Sequence, residues 1–169
     1  MLAKSMEVAV KTIMENHLYQ FDGKVFGPTD VGPIGLEVTG VLARLVMLWW
    51  DKKYLHILQG LDLKLDFYKR YLDDGNMACK ALKPGVRFVE GRLSIPPGAE
   101  AEDENLPADL RTGRLLRTIA NSIIPMIRMV EDVPSNHNSR KLPILDLEVW
   151  GQDDQILHQF LKKSMAIKL

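Results

Sequence analysis

Short apolar runs separated by turn chemistry limit what this chain can build. Asp22-Gly23 divides LYQF from KVF, a pairing that closes two-residue hairpins. Farther along, LKLDFYKRYL alternates as a strand does, DDGN turns it, and MACKAL returns antiparallel. Met6, Val10, Ile13 and Met14 recur at helical spacing between about Ala3 and Asn16, and VTGVLARLVMLWW from Val38 to Trp50 reads as a buried helix. The stretch YLHILQGLDLKL fits either a continuation of that helix or a loop broken at Gly60. ADLRTGRLLRTIANSI predicts a further helix, apolar at Leu110, Leu115, Leu116 and Ile119, with Arg111, Arg114 and Arg117 outward. Helices and hairpins mixed without regular βα alternation point to an α+β fold, an antiparallel sheet backed by helices.

The remaining segments fill in that outline. PGVRFVEGRLSIPPGAEAEDENLP combines a short strand with a Pro/Gly kink and an acidic tract expected to be solvated. MIRMVEDV alternates, PSNHNS forms a turn, KLPILDLEVW reads as a last strand, and DQILHQFLKKSMAIKL as a closing helix. With 169 residues the chain fits one domain able to bury a core. Lys+Arg and Asp+Glu both number 22, so contact with nucleic acid has to rely on local basic patches. A lone cysteine, Cys79, excludes an internal disulfide framework and a cysteine-based zinc site, and suggests a reducing, intracellular compartment. Lys4, Glu7 and Lys11 break up the N-terminal stretch, which therefore lacks a signal-peptide core, and Arg44 interrupts an apolar run too short to span a bilayer. No membrane association is expected.

Asp73 and Asp74, side by side after an aromatic-rich strand, admit two readings. One is a polar hairpin tip. The other is a divalent-metal site, in which neighbouring carboxylates hold cations that neutralise phosphate charge.

Tyr71-Leu72-Asp73-Asp74 resembles the catalytic hairpin of reverse transcriptases, whose form is aromatic, any residue, Asp, Asp. Upstream, GPIGLEVTGVLARLVM is similar to the template-gripping loop and helix of these enzymes, with Pro33, Gly35, Thr39 and Ala43 at the motif positions. KLPILDLEVW from Lys141 to Trp150 resembles the LPFLD strand of Penelope-like retroelement reverse transcriptases, NSIIPMIRMVED the helix end and strand before it, and QFDGKVFGPTD their hairpin before the loop. The resemblance covers about residues 15 to 150.

It implies a polymerase palm over residues 1–150, with 151–169 a C-terminal helix starting a thumb or connection, and RNA-directed DNA polymerase activity using two Mg2+ ions. Asp73 and Asp74 would be the catalytic residues and metal ligands. Pro33, Gly35, Thr39, Arg70 and Tyr71 would meet template or substrate, Gly35 because a side chain there would collide with a base pair. The partners implied are an RNA or DNA template-primer and deoxynucleotide triphosphates, and the compartment is nuclear or cytoplasmic.

Three departures accompany the resemblance. The family's upstream catalytic aspartate on a strand has no counterpart, since Asp22 falls on a turn and Asp30 in a loop. Fingers and thumb are largely missing. Val31 and Leu36 replace the usual glycine and serine of the loop. The expectation is therefore a retroelement polymerase fragment inactive alone. The alternatives are a decayed or domesticated palm that binds nucleic acid or protein, and a small folded protein in which the aspartates only make a turn.

Overall fold

The computed structural model describes residues 2–16, 18–27, 37–152 and 155–160. Pro33 and Gly35, and with them most of the expected template-gripping loop, lie outside the described residues. The fold is mixed α and β, built from helices and small antiparallel sheets. It divides into two compact units, Met1–Trp50 and Asp51–Leu169.

The first unit opens with α1 (Leu2–Glu15), where the 3.6-residue spacing of apolar side chains predicts a helix. Asn16 closes that helix by donating its Nδ2 to the Thr12 carbonyl at 2.9 Å. A hairpin follows, β1 (Tyr19–Phe21) against β2 (Lys24–Phe26). Asp22 and Gly23, at φ 49° and 70°, supply the two consecutive left-handed residues that suit a tight hairpin to the twist of its strands. The long helix α2 (Glu37–Gly60) begins in this unit and runs without interruption to Gly60, so residues 54–60 of the ambiguous stretch continue the helix, which ends at Gly60 in a turn at Leu61-Asp62. Among the residues before Trp50 whose burial is described, none is buried.

The second unit holds the core. Tyr54 and Leu58 of α2 are buried, as are Leu115, Leu116, Ile119 and Ala120 of α4 (Ala108–Asn121). The i, i+4 step from Tyr54 to Leu58, and the Leu115, Leu116, Ile119, Ala120 pattern, put these residues on single helix faces. Between the two helices in sequence come a hairpin of β3 (Leu65–Tyr71) and β4 (Asp74–Cys79), a shorter one of β5 (Arg87–Val89) and β6 (Arg92–Ser94), and the single-turn helix α3 (Ala99–Asp103). The β5–β6 turn is Glu90-Gly91, at φ 48° and 80°, a repeat of the Asp22-Gly23 solution. After α4 comes a three-stranded meander, β7 (Leu142–Ile144), β8 (Leu147–Gln152) and β9 (Gln155–Phe160).

Several expectations change here. The strands form three separate two-stranded sheets and one three-stranded sheet, so the single helix-backed sheet is not present among the described residues. Residues 155–160 are strand, not the closing helix, because Gln155 to Phe160 pair in register with Gln152 to Leu147 of β8. KLPILDLEVW is a hairpin turning at Leu145-Asp146, not one strand.

MIRMVEDV is not a strand either: it lies along α4. The Asn121 side chain takes both backbone groups of Met129, accepting from its N–H at 2.6 Å and donating to its carbonyl at 3.0 Å. Arg117 holds Glu131 at 2.7 Å.

Asp103, inside the tract expected to be solvated, is buried and accepts from Arg87 and from the Gly85 N–H, both at 2.7 Å. Of the three arginines expected to face outward on α4, Arg114 is exposed while Arg111 and Arg117 are half-buried.

Candidate functional site

The β3–β4 hairpin carries the aspartate pair, and its register decides where each carboxylate stands. Tyr71 pairs with Asp74, so the two-residue turn is Leu72-Asp73 and not the DDGN stretch. Gly75 lies within β4, opposite Arg70. Asp73 thus sits at the tip and Asp74 begins the return strand, both exposed. Leu72 takes the left-handed conformation at φ 55°, a region a leucine seldom enters unless its surroundings hold it.

Alternation sends the side chains of β3 to two faces. Tyr68 and Arg70 turn toward Asp51 on α2, while Phe67, Lys69 and Tyr71 are exposed on the other face. Asp51 Oδ1 accepts from the Tyr68 hydroxyl at 2.6 Å and from Arg70 Nε at 2.9 Å, and Oδ2 accepts from Arg70 Nη2 at 2.9 Å. Arg70 Nη1 donates to the Leu72 carbonyl inside the turn.

Burial first, and the bond to Asp51 second, raise the Tyr68 hydroxyl well above the usual tyrosine range. Tyr54 lies beneath, its ring 6.2 Å from that of Tyr68, and burial raises its hydroxyl as well. The hairpin is therefore seated on the core by two tyrosines and one ion pair.

The predicted site residues separate on this geometry. Asp73, Asp74 and Tyr71 come together at one tip. Arg70, expected at substrate phosphates, directs its guanidinium to Asp51 and to the Leu72 carbonyl. Thr39 lies in the first turn of α2, in the other unit, half-buried. Cys79 ends β4, half-buried, with its thiol pushed up by burial. Lys141 stacks its ammonium over the Trp150 ring at 4.2 Å.

Asp51 is the residue that sequence reasoning passed over. An acidic side chain following two tryptophans on a helix carries no motif, and only the fold brings it to Arg70, 19 residues away.

Hard cations prefer oxygen donors, and Mg2+ keeps several waters when it binds one or two carboxylates. Asp73 and Asp74 are adjacent exposed carboxylates, donors of that oxygen type. No group of three or more His, Cys, Asp or Glu suited to a metal exists among the described residues, so this pair does not cage two ions by itself. No helix among the described residues is long and apolar enough to cross a membrane. Comparisons with protein-family models, curated proteins and solved structures find no match to this chain.

Proposed function

We propose that this chain is a palm segment of a retroelement reverse transcriptase, with Asp73 and Asp74 as its share of a metal site for nucleotidyl transfer. The observation that carries the reading is the hairpin tip. Two adjacent carboxylates stand exposed, Asp73 on a braced two-residue turn and Asp74 just after it, next to the exposed ring of Tyr71. Such a tip can offer oxygens to a hydrated Mg2+ ion bound also by phosphates of a template-primer or a nucleotide. The further carboxylate that two-ion chemistry requires is not grouped with these two among the described residues, so this chain by itself is not proposed to polymerise. Nucleic-acid partners and an intracellular site of action belong to the same proposal.

The test is an NMR titration with Mg2+ and then Mn2+. Shifts and paramagnetic broadening should centre on Asp73, Asp74 and the amides beside them, and vanish in Asp73→Asn. Uniform or absent effects would remove the metal reading. Primer extension on an RNA template should yield no product with this chain alone.

A second reading, a non-catalytic module that binds nucleic acid or protein, has its own support in exposed apolar surface. Phe67, Tyr71 and Leu72 are 49%, 59% and 56% exposed on the same hairpin, which is costly surface for a hairpin without a partner. Retained binding to single-stranded RNA after Asp73→Asn, lost on Tyr71→Ala, would favour it.

A further inference from the structure

We propose that Asp51 is a positioning residue for the Asp73–Asp74 tip, acting through Arg70 on the Leu72 carbonyl. The cation half of this inference rests on the reading of the aspartates as metal ligands; the turn half stands without it.

The geometry is directional. Both Asp51 oxygens accept from the Arg70 fork, with Nε 2.9 and 3.0 Å from Oδ1 and Oδ2, and Nη2 2.9 Å from Oδ2. A guanidinium is planar and rigid, so two fixed nitrogens fix the third. That third nitrogen, Nη1, donates to the Leu72 carbonyl.

The peptide joining Leu72 to Asp73 is thereby held in one orientation. Its plane sets the backbone direction from which the Asp73 side chain departs. Leu72 stands at φ 55°, and such a conformation persists where surroundings over-determine it. The Arg70 contact is the side-chain bond that does so here. Asp51 and Arg70 side chains are only 15% and 14% exposed, so the pair is less screened than a surface ion pair. Tyr68 adds a third anchor to Asp51 Oδ1 at 2.6 Å, which fixes the carboxylate's own plane.

This assignment gives Arg70 a task other than gripping phosphate. It also explains how a non-glycine turn can present two like charges in a defined direction. Partners that orient ligating carboxylates typically alter metal affinity 10–100-fold when removed.

The experiment uses the full chain, isotope-labelled, as wild type, Asp51→Asn, Arg70→Ala, Arg70→Lys and Lys69→Ala. Backbone order parameters and amide-to-α couplings at Leu72 and Asp73 report the turn, and Mn2+ titration reports the tip. Asp51→Asn and Arg70→Ala should lower order at Leu72 and Asp73 from about 0.85 to below about 0.6. Cross-strand contacts between β3 and β4 should persist, and Mn2+ affinity should fall about 10-fold or more. Arg70→Lys keeps the charge without the fork, and should free the turn in the same way even if Arg70→Ala fails to fold. Lys69→Ala, on the opposite face, should change neither readout.

An unchanged turn in Asp51→Asn and Arg70→Lys would overturn the inference. Wild type that binds no Mn2+ while the variants still loosen the turn would sink the metal reading and leave the brace standing.

Discussion

Arg87 Nη1 lies 2.7 Å from Asp103 Oδ2, joining the β5–β6 hairpin to a helix of five residues. The same oxygen takes the Gly85 N–H at 2.7 Å, and Oδ1 takes Arg87 Nη2 at 3.0 Å. The Asp103 side chain is 6% exposed and that of Arg87 34%, so one charge is desolvated and the other partly screened. Asp103→Asn should cost about 2 kcal/mol, below the roughly 3–5 kcal/mol of a fully buried pair broken on one side. Urea denaturation compared with Glu102→Gln checks it. Glu102 also touches Arg87, at 3.3 Å, but is 74% exposed, and its loss should be nearly neutral.

This pair also shows where sequence reading stops. Hairpins closed by Asp22-Gly23 were legible because that dipeptide favours the positive φ such turns require. Helices α1 and α4 were legible from 3.6-residue spacing, and α2 from its apolar run, but the burial expected of Val38–Trp50 is found only at Trp50, with Val41, Leu45, Val46, Leu48 and Trp49 exposed. Burial of Asp103 was not, because a charged side chain is read as solvated until a distant arginine and backbone amide are known to meet it. The same holds at the tip. The Asp73-Asp74 pair was visible, whereas the turn register and Asp51 depend on contacts many residues apart. In 126–133 the alternation was real, but Asn121, Arg117 and Gly113 tie that stretch to α4 in place of a neighbouring strand.

Gly113→Ala should destabilise, the reverse of the usual effect inside a helix. Alanine is ordinarily favoured over glycine there by about 0.8–1 kcal/mol. At this position a Cβ would stand 2.9 Å from Val133 Cγ1, and Val133 is itself buried. Overpacking of this kind costs about 1–3 kcal/mol, so the net change should be a loss of about 1 kcal/mol. Pairing the change with Val133→Ala, which makes room, should recover part of the loss. A double-mutant cycle in urea measures the coupling, and additive effects would remove the close-contact explanation.

Stability should fall at both ends of the pH scale for separate reasons. Arg87, followed by the Gly85 amide, holds the Asp103 carboxyl below the usual carboxylate range despite burial. Burial acts to raise Asp109, but the Ser135 hydroxyl and N–H, at 2.6 and 2.8 Å, together with backbone donors that include the Leu110 N–H at 3.0 Å, outweigh it and leave that carboxyl lowered. A lowered folded-state pKa means stability present above the unfolded value of about 3.9 and lost as pH falls below it. Tyr54 and Tyr68 are raised, mainly by burial, so their contribution is complete below about pH 10 and declines as pH climbs past it. Urea midpoints from pH 2.5 to 11 should be flat across the middle and drop at each end. Asp109→Asn should shrink the acid drop, and Tyr68→Phe the alkaline one.

Two hairpins share an unusual turn, and they make a matched test of what a leucine costs there. Leu72-Asp73 and Leu145-Asp146 both place leucine in the left-handed region, at φ 55° and 56°, while neither following aspartate does so. The leucines are 56% and 60% exposed, and so give up little packing when replaced. Left-handed backbone costs an L-residue about 1–2 kcal/mol, and glycine's extra unfolded-state freedom costs about 0.5–1 kcal/mol. Leu72→Gly and Leu145→Gly should each therefore stabilise by about 0.5 kcal/mol. Asp73→Gly should not, because Asp73 is not at positive φ and glycine has no strain to relieve there. Thermal denaturation of the three variants decides it. Losses from both leucine changes would mean that those side chains pack in solution, and a gain from Asp73→Gly would mean that Asp73 itself stands at positive φ.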